Sequence, residues 1–163
     1  MPRPRGGDWL EDEIKAWRRA RVDGVVSLLT ADEVADLNLA DERELCLANG
    51  IRYESFPIAD RGVPSSRNDF STLMSRLVGH LGEGKTVLVH CRQGIGRSAL
   101  VAVGALVSSG TDADAAIQHV GAARGCPVPE TSEQRKWILD LAKSLTAPAA
   151  TALELGRPQS STS

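Results

Sequence analysis

Apolar positions along the chain change their spacing in an ordered way, and each change marks an element. Leu10, Ile14 and Trp17 share one helical face, so residues 9–21 read as a helix. Asp23-Gly24 turns the chain into residues 25–29, a Val-Val-Ser-Leu-Leu run that reads as a buried strand. Thr30 and Glu33 have capping-box spacing and open a short helix. Residues 41–48 predict another, stopped by Asn49-Gly50. Residues 51–58 read as extended, and Asp60-Arg61-Gly62-Val63-Pro64-Ser65-Ser66 as a loop. Phe70, Leu73, Met74, Leu77, Val78 and Leu81 then form a helical stripe, ended by Gly82-Glu83-Gly84. Residues 86–90, Thr-Val-Leu-Val-His, are short and nearly all apolar, as in a strand buried within a parallel sheet. Beyond a glycine-containing loop, residues 98–108 are apolar almost all round and predict a helix at the centre of the domain. Residues 112–124 and 131–145 complete a helical C-terminal half.

Strands alternating with helices predict an α/β fold, a central and mainly parallel sheet flanked by helices. Ligands in such sheets bind where the C-terminal ends of strands meet the loops that follow. The chain has 163 residues, against roughly 100–200 for one domain, so a single domain over residues 9–146 is expected. Residues 1–8, rich in Pro, Gly and Arg, and residues 147–163, small and polar, read as flexible tails. With 42% hydrophobic and 25% charged residues there is material for a real core.

Lys plus Arg number 19 against 21 Asp plus Glu, a net charge of −2, which gives no general attraction to nucleic acid or to an anionic membrane. Any basic site must therefore be local. The longest apolar stretch, from Ala99 to Val107, is far short of the roughly 20 residues that cross a bilayer, so no stable membrane association is expected. Cys46, Cys91 and Cys126 form neither a disulfide framework nor a CxxC pair, which suits a reducing cytoplasm where a free thiol can be reactive. His80, His90 and His119 form no ligand cluster, and no metal or other cofactor is expected. No feature of the chain specifies an oligomeric state.

One loop carries chemistry. After the strand ending at His90 come Cys91-Arg92-Gln93-Gly94-Ile95-Gly96-Arg97-Ser98 and then the central helix. Glycines at 94 and 96 let the backbone curl so that successive N–H groups, from Arg92 and Gln93 through Ile95 to Arg97, face an anion. The helix that follows adds its positive end. Arg97 can grip two phosphate oxygens with its planar fork. The same field should favour the thiolate of Cys91. A lone cysteine is usually a small apolar filler, and Cys46, inside a helical pattern, reads that way. Around Cys91 the glycines, the arginine and the helix start have no packing purpose.

His90 to Ser98 resembles the HCxxGxxR[ST] signature of the cysteine-dependent protein tyrosine and dual-specificity phosphatases, in the strand–loop–helix setting that signature needs. Phe56-Pro57-Ile58-Ala59-Asp60-Arg61-Gly62-Val63-Pro64 is similar to the general-acid loop of small dual-specificity members, and the likeness covers about residues 9–145. The resemblance implies that Cys91 attacks phosphorus and forms a phosphocysteine. The amides of residues 92–97 and the Arg97 fork would hold the equatorial oxygens. Asp60 would protonate the leaving oxygen and then deprotonate water, while Ser98 would donate to the Cys91 sulfur in the second step. His90 is expected to order the loop through backbone hydrogen bonds.

By local sequence alone Asp60 reads as a turn former, and the resemblance is what gives it a reacting role. Asp69 is the fallback acid, although Asn68-Asp69 before the apolar stripe reads as a helix cap. In larger relatives a glutamine-bearing segment positions the hydrolytic water, a task that Glu130, Thr131 or Gln134 could take here. Thr131 with Gln134 also has plain capping-box spacing. Arg124 is either a positive wall to the pocket or an exposed helix-end arginine, and Cys126 as an oxidation partner of Cys91 has no support in the spacing.

Gly79-His80-Leu81-Gly82-Glu83-Gly84-Lys85-Thr86 fits the pattern of a nucleotide-binding loop, but it follows a helix and enters a strand, the reverse of what that loop requires. Two other readings of the Cys91 loop remain: a rhodanese-like or arsenate-reductase-like thiol enzyme, and a non-catalytic phosphoprotein-binding module. The expected activity is hydrolysis of phosphotyrosine, with phosphoserine and phosphothreonine admitted by a shallow pocket, on a phosphorylated protein substrate.

Overall fold

The computed structural model describes residues 1–146. In chain order the elements are α1 (Leu10–Arg19), β1 (Gly24–Ser27), α2 (Ala31–Asp36), α3 (Glu42–Ala48), β2 (Arg52–Ser55), α4 (Arg67–Gly82), β3 (Val87–His90), α5 (Arg97–Ser108), α6 (Ala113–Arg124) and α7 (Ser132–Thr146). The three strands form a parallel sheet in the order β2-β1-β3. This is the expected α/β arrangement, and the helices fall within one to three residues of the periodicity that predicts them.

Side chains alternate across the sheet and sort the molecule into two layers. Val25, Leu29 and Leu88 face α1 and α3, where they pack with Leu10, Ile14, Trp17 and Cys46. Val26, Leu28, Val87 and Val89 face the larger core built with α4, α5 and α7. Its centre is α5, whose Leu100, Val101 and Val103 are all fully buried. Phe70 of α4 meets Trp137 of α7 edge to face with ring centroids 4.4 Å apart, a favourable quadrupole arrangement. Gly104 is what lets α4 and α5 approach: a Cβ there would lie 2.8 Å from Phe70 Cζ. Cys46 is buried as the filler it was read to be, and burial, together with the charge of Glu42, pushes its thiol up to about 12.

The register sets up the site. Ser27, Ser55 and His90 are paired across the sheet, so the three strands end at one edge. The ladder runs a little further, with Ile58 N–H donating to Leu28 O at 3.1 Å and Leu28 N–H to His90 O at 3.0 Å. Three connections therefore leave the sheet side by side: the one into α2, the 56–66 loop and the Cys91 loop.

Two local details differ from expectation and a third matches it. Residues 1–8, read as a tail, have definite partners: Pro2 bridges Cys91 in parallel fashion, and Gly7 N–H donates to Asn38 O at 2.9 Å. Gly6 sits so close to Leu37 O that a Cβ would be 2.0 Å away. These contacts are backbone to backbone and leave no periodicity to read. The cap of α4 is Ser66, whose hydroxyl accepts from Asp69 N–H at 3.2 Å, rather than Asn68-Asp69. The pseudo-nucleotide loop is the end of α4 and the turn into β3, with Gly84 at φ 73° and Lys85 paired with Glu83. Among the described residues no helix is long and apolar enough to cross a membrane. The predicted tail at 147–163 lies outside the described residues.

Candidate active site

Cys91 stands at the exit of β3 with 3% of its surface exposed. Its sulfur receives Gly94 N–H at 3.2 Å and lies 3.6 Å from Ser98 Oγ, within reach of a hydrogen bond to sulfur. The chain bends back toward the sulfur because Gly94 adopts φ 76°, a left-handed conformation that costs a side chain about 1–2 kcal/mol. A Cβ at Gly94 would also meet the Met1–Pro2 backbone at 2.3 Å. Gly96 begins α5 without any side-chain cap, so the first N–H groups of that helix are left open toward the loop.

Arg97, in the first turn of α5, is 2% exposed, and its guanidinium is nearly saturated. Nη1 donates to Glu33 Oε2 at 2.7 Å and to Ile58 O at 2.9 Å. Nη2 donates to Glu33 Oε1 at 2.8 Å and to Asp60 Oδ1 at 2.9 Å. Glu33 and Arg97 thus form a fork-to-fork pair, the geometry that fixes a guanidinium in one plane. Burial works against the arginine's charge, but the bonds to Glu33 and the neighbouring negative charges raise its pKa further above the ordinary value. In return the hydrogen bonds from Arg97 hold the Glu33 carboxyl below the usual carboxylate range.

Glu33 is the site residue that the sequence reading missed. It does close the predicted capping box, with its carboxylate accepting from Thr30 N–H at 3.1 Å. That role already accounted for the residue, so nothing prompted a second one. The signal was its place: an acidic side chain in the first helical turn after a strand, at the edge where Cys91 and Asp60 also emerge.

Asp60, Arg61, Cys91, Gln93, Gly96, Arg97 and Glu130 line one cavity of about 100 Å³. The structure therefore brings Cys91, Arg97 and Asp60 together from loops far apart in sequence. Arg92 is exposed, its Nη1 4.0 Å from Glu33 Oε1, and Ile95 is half-buried. Arg124, the last residue of α6, is exposed and does not line the cavity. Asp69 is exposed in the first turn of α4 and does not line it either. Among the described residues no cluster of His, Cys, Asp and Glu is arranged to hold a metal.

His90 departs from its expected role. Its ring is fully buried between the layers, with Nε2 2.7 Å from Glu42 Oε1 but not aligned as a hydrogen bond. The Trp17 ring lies beside it, centroids 6.2 Å apart. The contact is with α3 on the far side of the sheet, not with the backbone of the loop. At the opposite wall, the capping box of α7 is formed: Gln134 N–H donates to Thr131 Oγ1 at 3.1 Å, and Thr131 N–H to Gln134 Oε1 at 3.3 Å. Glu130 accepts from Arg61 Nη1 at 2.8 Å.

Known proteins resemble this chain in sequence and in fold. The model of the dual specificity phosphatase catalytic domain matches residues 32–143, well over half of the chain. A tyrosine phosphatase-type protein, 067L of Invertebrate iridescent virus 3, is 37% identical over 87 residues, which are 47% of this chain and 35% of that protein. The match thus takes in about a third of that relative's length. Among solved structures, kinase associated phosphatase superposes with a TM-score of 0.79 at 20% identity, covering 91% of this chain and 87% of that one. Tk-PTP in its active form gives 0.69 at 28% identity, with 88% of each chain covered. On the match over residues 32–143, the chain belongs to the dual specificity phosphatase catalytic-domain family.

Proposed function

We propose that this chain hydrolyses phosphomonoesters through a phosphocysteine on Cys91, acting on phosphotyrosine and, through a shallow mouth, on phosphoserine and phosphothreonine in proteins. The observation that carries this reading is the shared cavity: the Cys91 thiol, the Arg97 guanidinium and the Asp60 carboxyl all line it, with Arg97 Nη2 and Asp60 Oδ1 2.9 Å apart.

The steps follow from the bonds. A phosphate dianion entering the cavity competes with Asp60 for Arg97 Nη2, while Glu33 and Ile58 O keep the rest of the guanidinium in place. Asp60 is released toward the leaving oxygen as the thiolate of Cys91 forms the S–P bond and the O–P bond breaks. Having taken up a proton on leaving Arg97, Asp60 gives it to the departing oxygen. Open N–H groups at the start of α5 and the Nη2 donor that Asp60 gives up stabilise charge on the three equatorial oxygens. Asp60, now a carboxylate, takes a proton from water as that water displaces the sulfur and yields inorganic phosphate. Ser98 Oγ, 3.6 Å from Sγ, donates to the departing thiolate.

A series of aryl phosphates with leaving groups of different acidity tests the assignment. Wild-type protein should turn over all of them, with orthovanadate competing. Asp60→Asn should lower kcat about 10²–10⁴-fold for poor leaving groups and far less for good ones. No turnover of any aryl phosphate would favour a binding module, and turnover of thiosulfate instead would favour sulfur transfer.

A further inference from the structure

Past Ile58, whose N–H donates to Leu28 O and whose carbonyl accepts from Arg97 Nη1, the loop that carries Asp60 has few ties. Residues 57–66 form no helix or strand, and the Asp60 side chain is 64% exposed with Arg97 as its partner. Phosphate takes over that partner in the proposed reaction, at the moment when the carboxyl has to be well placed. Whatever aims Asp60 must therefore act elsewhere on the loop.

Two contacts do so, one from the first turn of α7 and one from just before it. Gln134 Nε2 donates to Gly62 O at 3.0 Å, and Arg61 Nη1 donates to Glu130 Oε1 at 2.8 Å. Gln134 is fully buried, and its side chain is pinned at both ends, Oε1 receiving Thr131 N–H while Nε2 reaches the loop. The same amide abuts the phosphate loop: a Cβ on Gly96 would lie 3.1 Å from both Nε2 and Oε1. Gln134 is thus wedged between the two loops whose spacing sets the distance from Asp60 to the reacting sulfur. Arg61 adopts φ 58°, which costs a non-glycine residue about 1–2 kcal/mol, and its bond to Glu130 lies on that strained residue. An exposed ion pair alone is worth about 0–1 kcal/mol, so the buried amide is the main tie and the ion pair assists it.

We infer that Gln134, assisted by the Arg61–Glu130 pair, is a positioning residue that holds the Asp60 loop over the phosphate loop, not the residue that orients the hydrolytic water. Orienting water needs an acceptor aimed into the cavity. Gln134 does not line the cavity, and its carbonyl oxygen is turned to Thr131 N–H. The inference rests on the reading of Asp60 as the acid.

The test compares Gln134→Glu, which cannot donate to Gly62 O, and Arg61→Ala, which is exposed and leaves the core untouched, across the aryl phosphate series. Thermal melts confirm folding of each variant. For poor leaving groups Gln134→Glu should lose about 10–100-fold in kcat, as expected for a displaced acid, and for good ones less than about threefold. Arg61→Ala should shift the same way by about two- to fivefold, with the loss largely restored in Arg61→Lys. On an Asp60→Asn background Gln134→Glu should add nothing further, because both act on one proton transfer. A loss equal for all leaving groups, or a further loss on that background, overturns the inference. If Gln134→Glu fails to fold, Arg61→Ala decides alone: no leaving-group dependence sinks the proposal. Asp60→Asn by itself separates the two levels, since a loss that ignores the leaving group would remove Asp60 as the acid while leaving the loop contacts as they are.

Discussion

Replacing Cys91 by serine should reduce turnover by on the order of 10⁴–10⁶-fold, the scale seen when a catalytic nucleophile is removed, while the protein still folds and still binds vanadate or phosphate. The change swaps one small buried atom for another at a position 3% exposed, so packing is nearly preserved. Gly94 N–H and Ser98 Oγ can both bond an oxygen in place of sulfur. What is lost in the proposed reaction is the ionisable, polarisable nucleophile, since a serine hydroxyl has no general base beside it here. In the proposed reaction oxyanion binding falls to Arg97 and the start of α5, which the substitution does not touch. Steady-state turnover and vanadate binding, measured on the same preparation, separate the two effects. Turnover within tenfold of wild type would remove Cys91 from the mechanism.

The second large effect falls on Glu33. Glu33→Ala leaves Arg97 buried with two of its four bonds gone, and stripping one partner from a buried pair costs about 3–5 kcal/mol. It also opens the capping box of α2, worth a further ~1 kcal/mol. Against a total stability of about 5–15 kcal/mol for a domain, the variant should be near the limit of folding. Glu33→Gln keeps the shape and some hydrogen bonding, and its loss should be smaller.

The pH dependence follows from the sign of the Glu33 shift. Arg97 holds the Glu33 carboxyl below its ordinary value, so the unfolded chain binds that proton more tightly than the folded one. The stabilisation is therefore complete above the unfolded value of about 4.3 and disappears as pH falls through the lower folded value. Glu33→Gln has no such proton to bind. The gap in denaturation midpoint between wild type and Glu33→Gln should be widest near neutral pH and should close in acid. A gap that stays constant into acid would show that the carboxylate charge contributes nothing to the pair.

Much of this was legible in one chain because it is local. The stripe from Phe70 to Leu81, the strand before His90 and the apolar helix after Ser98 are periodic signals, and each produced its element. The two capping boxes, Thr30 with Glu33 and Thr131 with Gln134, both form. The Cys91 loop announced itself because glycine, arginine and a helix start have a joint purpose only around an anion. The pairs that cross the fold stayed hidden. Glu33 and Arg97 are 64 positions apart, Arg61 and Glu130 are 69, and their meeting depends on the β2-β1-β3 order. Glu33 and Arg61 also had a sufficient local explanation, one as part of a capping box and the other in a loop. His90 was misassigned for the same reason, since its contact with Glu42 lies across the sheet from the loop it precedes. Residues 1–8 pair through backbone groups, which composition does not report.

The central claim is a bond between sulfur and phosphorus. Mixing wild-type protein with an aryl phosphate, quenching in acid within the first turnover and digesting the chain should yield a peptide containing Cys91 that carries one added phosphoryl group. The Cys91→Ser protein should yield none. Rapid release of phosphate with no labelled Cys91 peptide at any quench time, while the aryl product accumulates, would mean that water attacks phosphorus directly and would contradict the account.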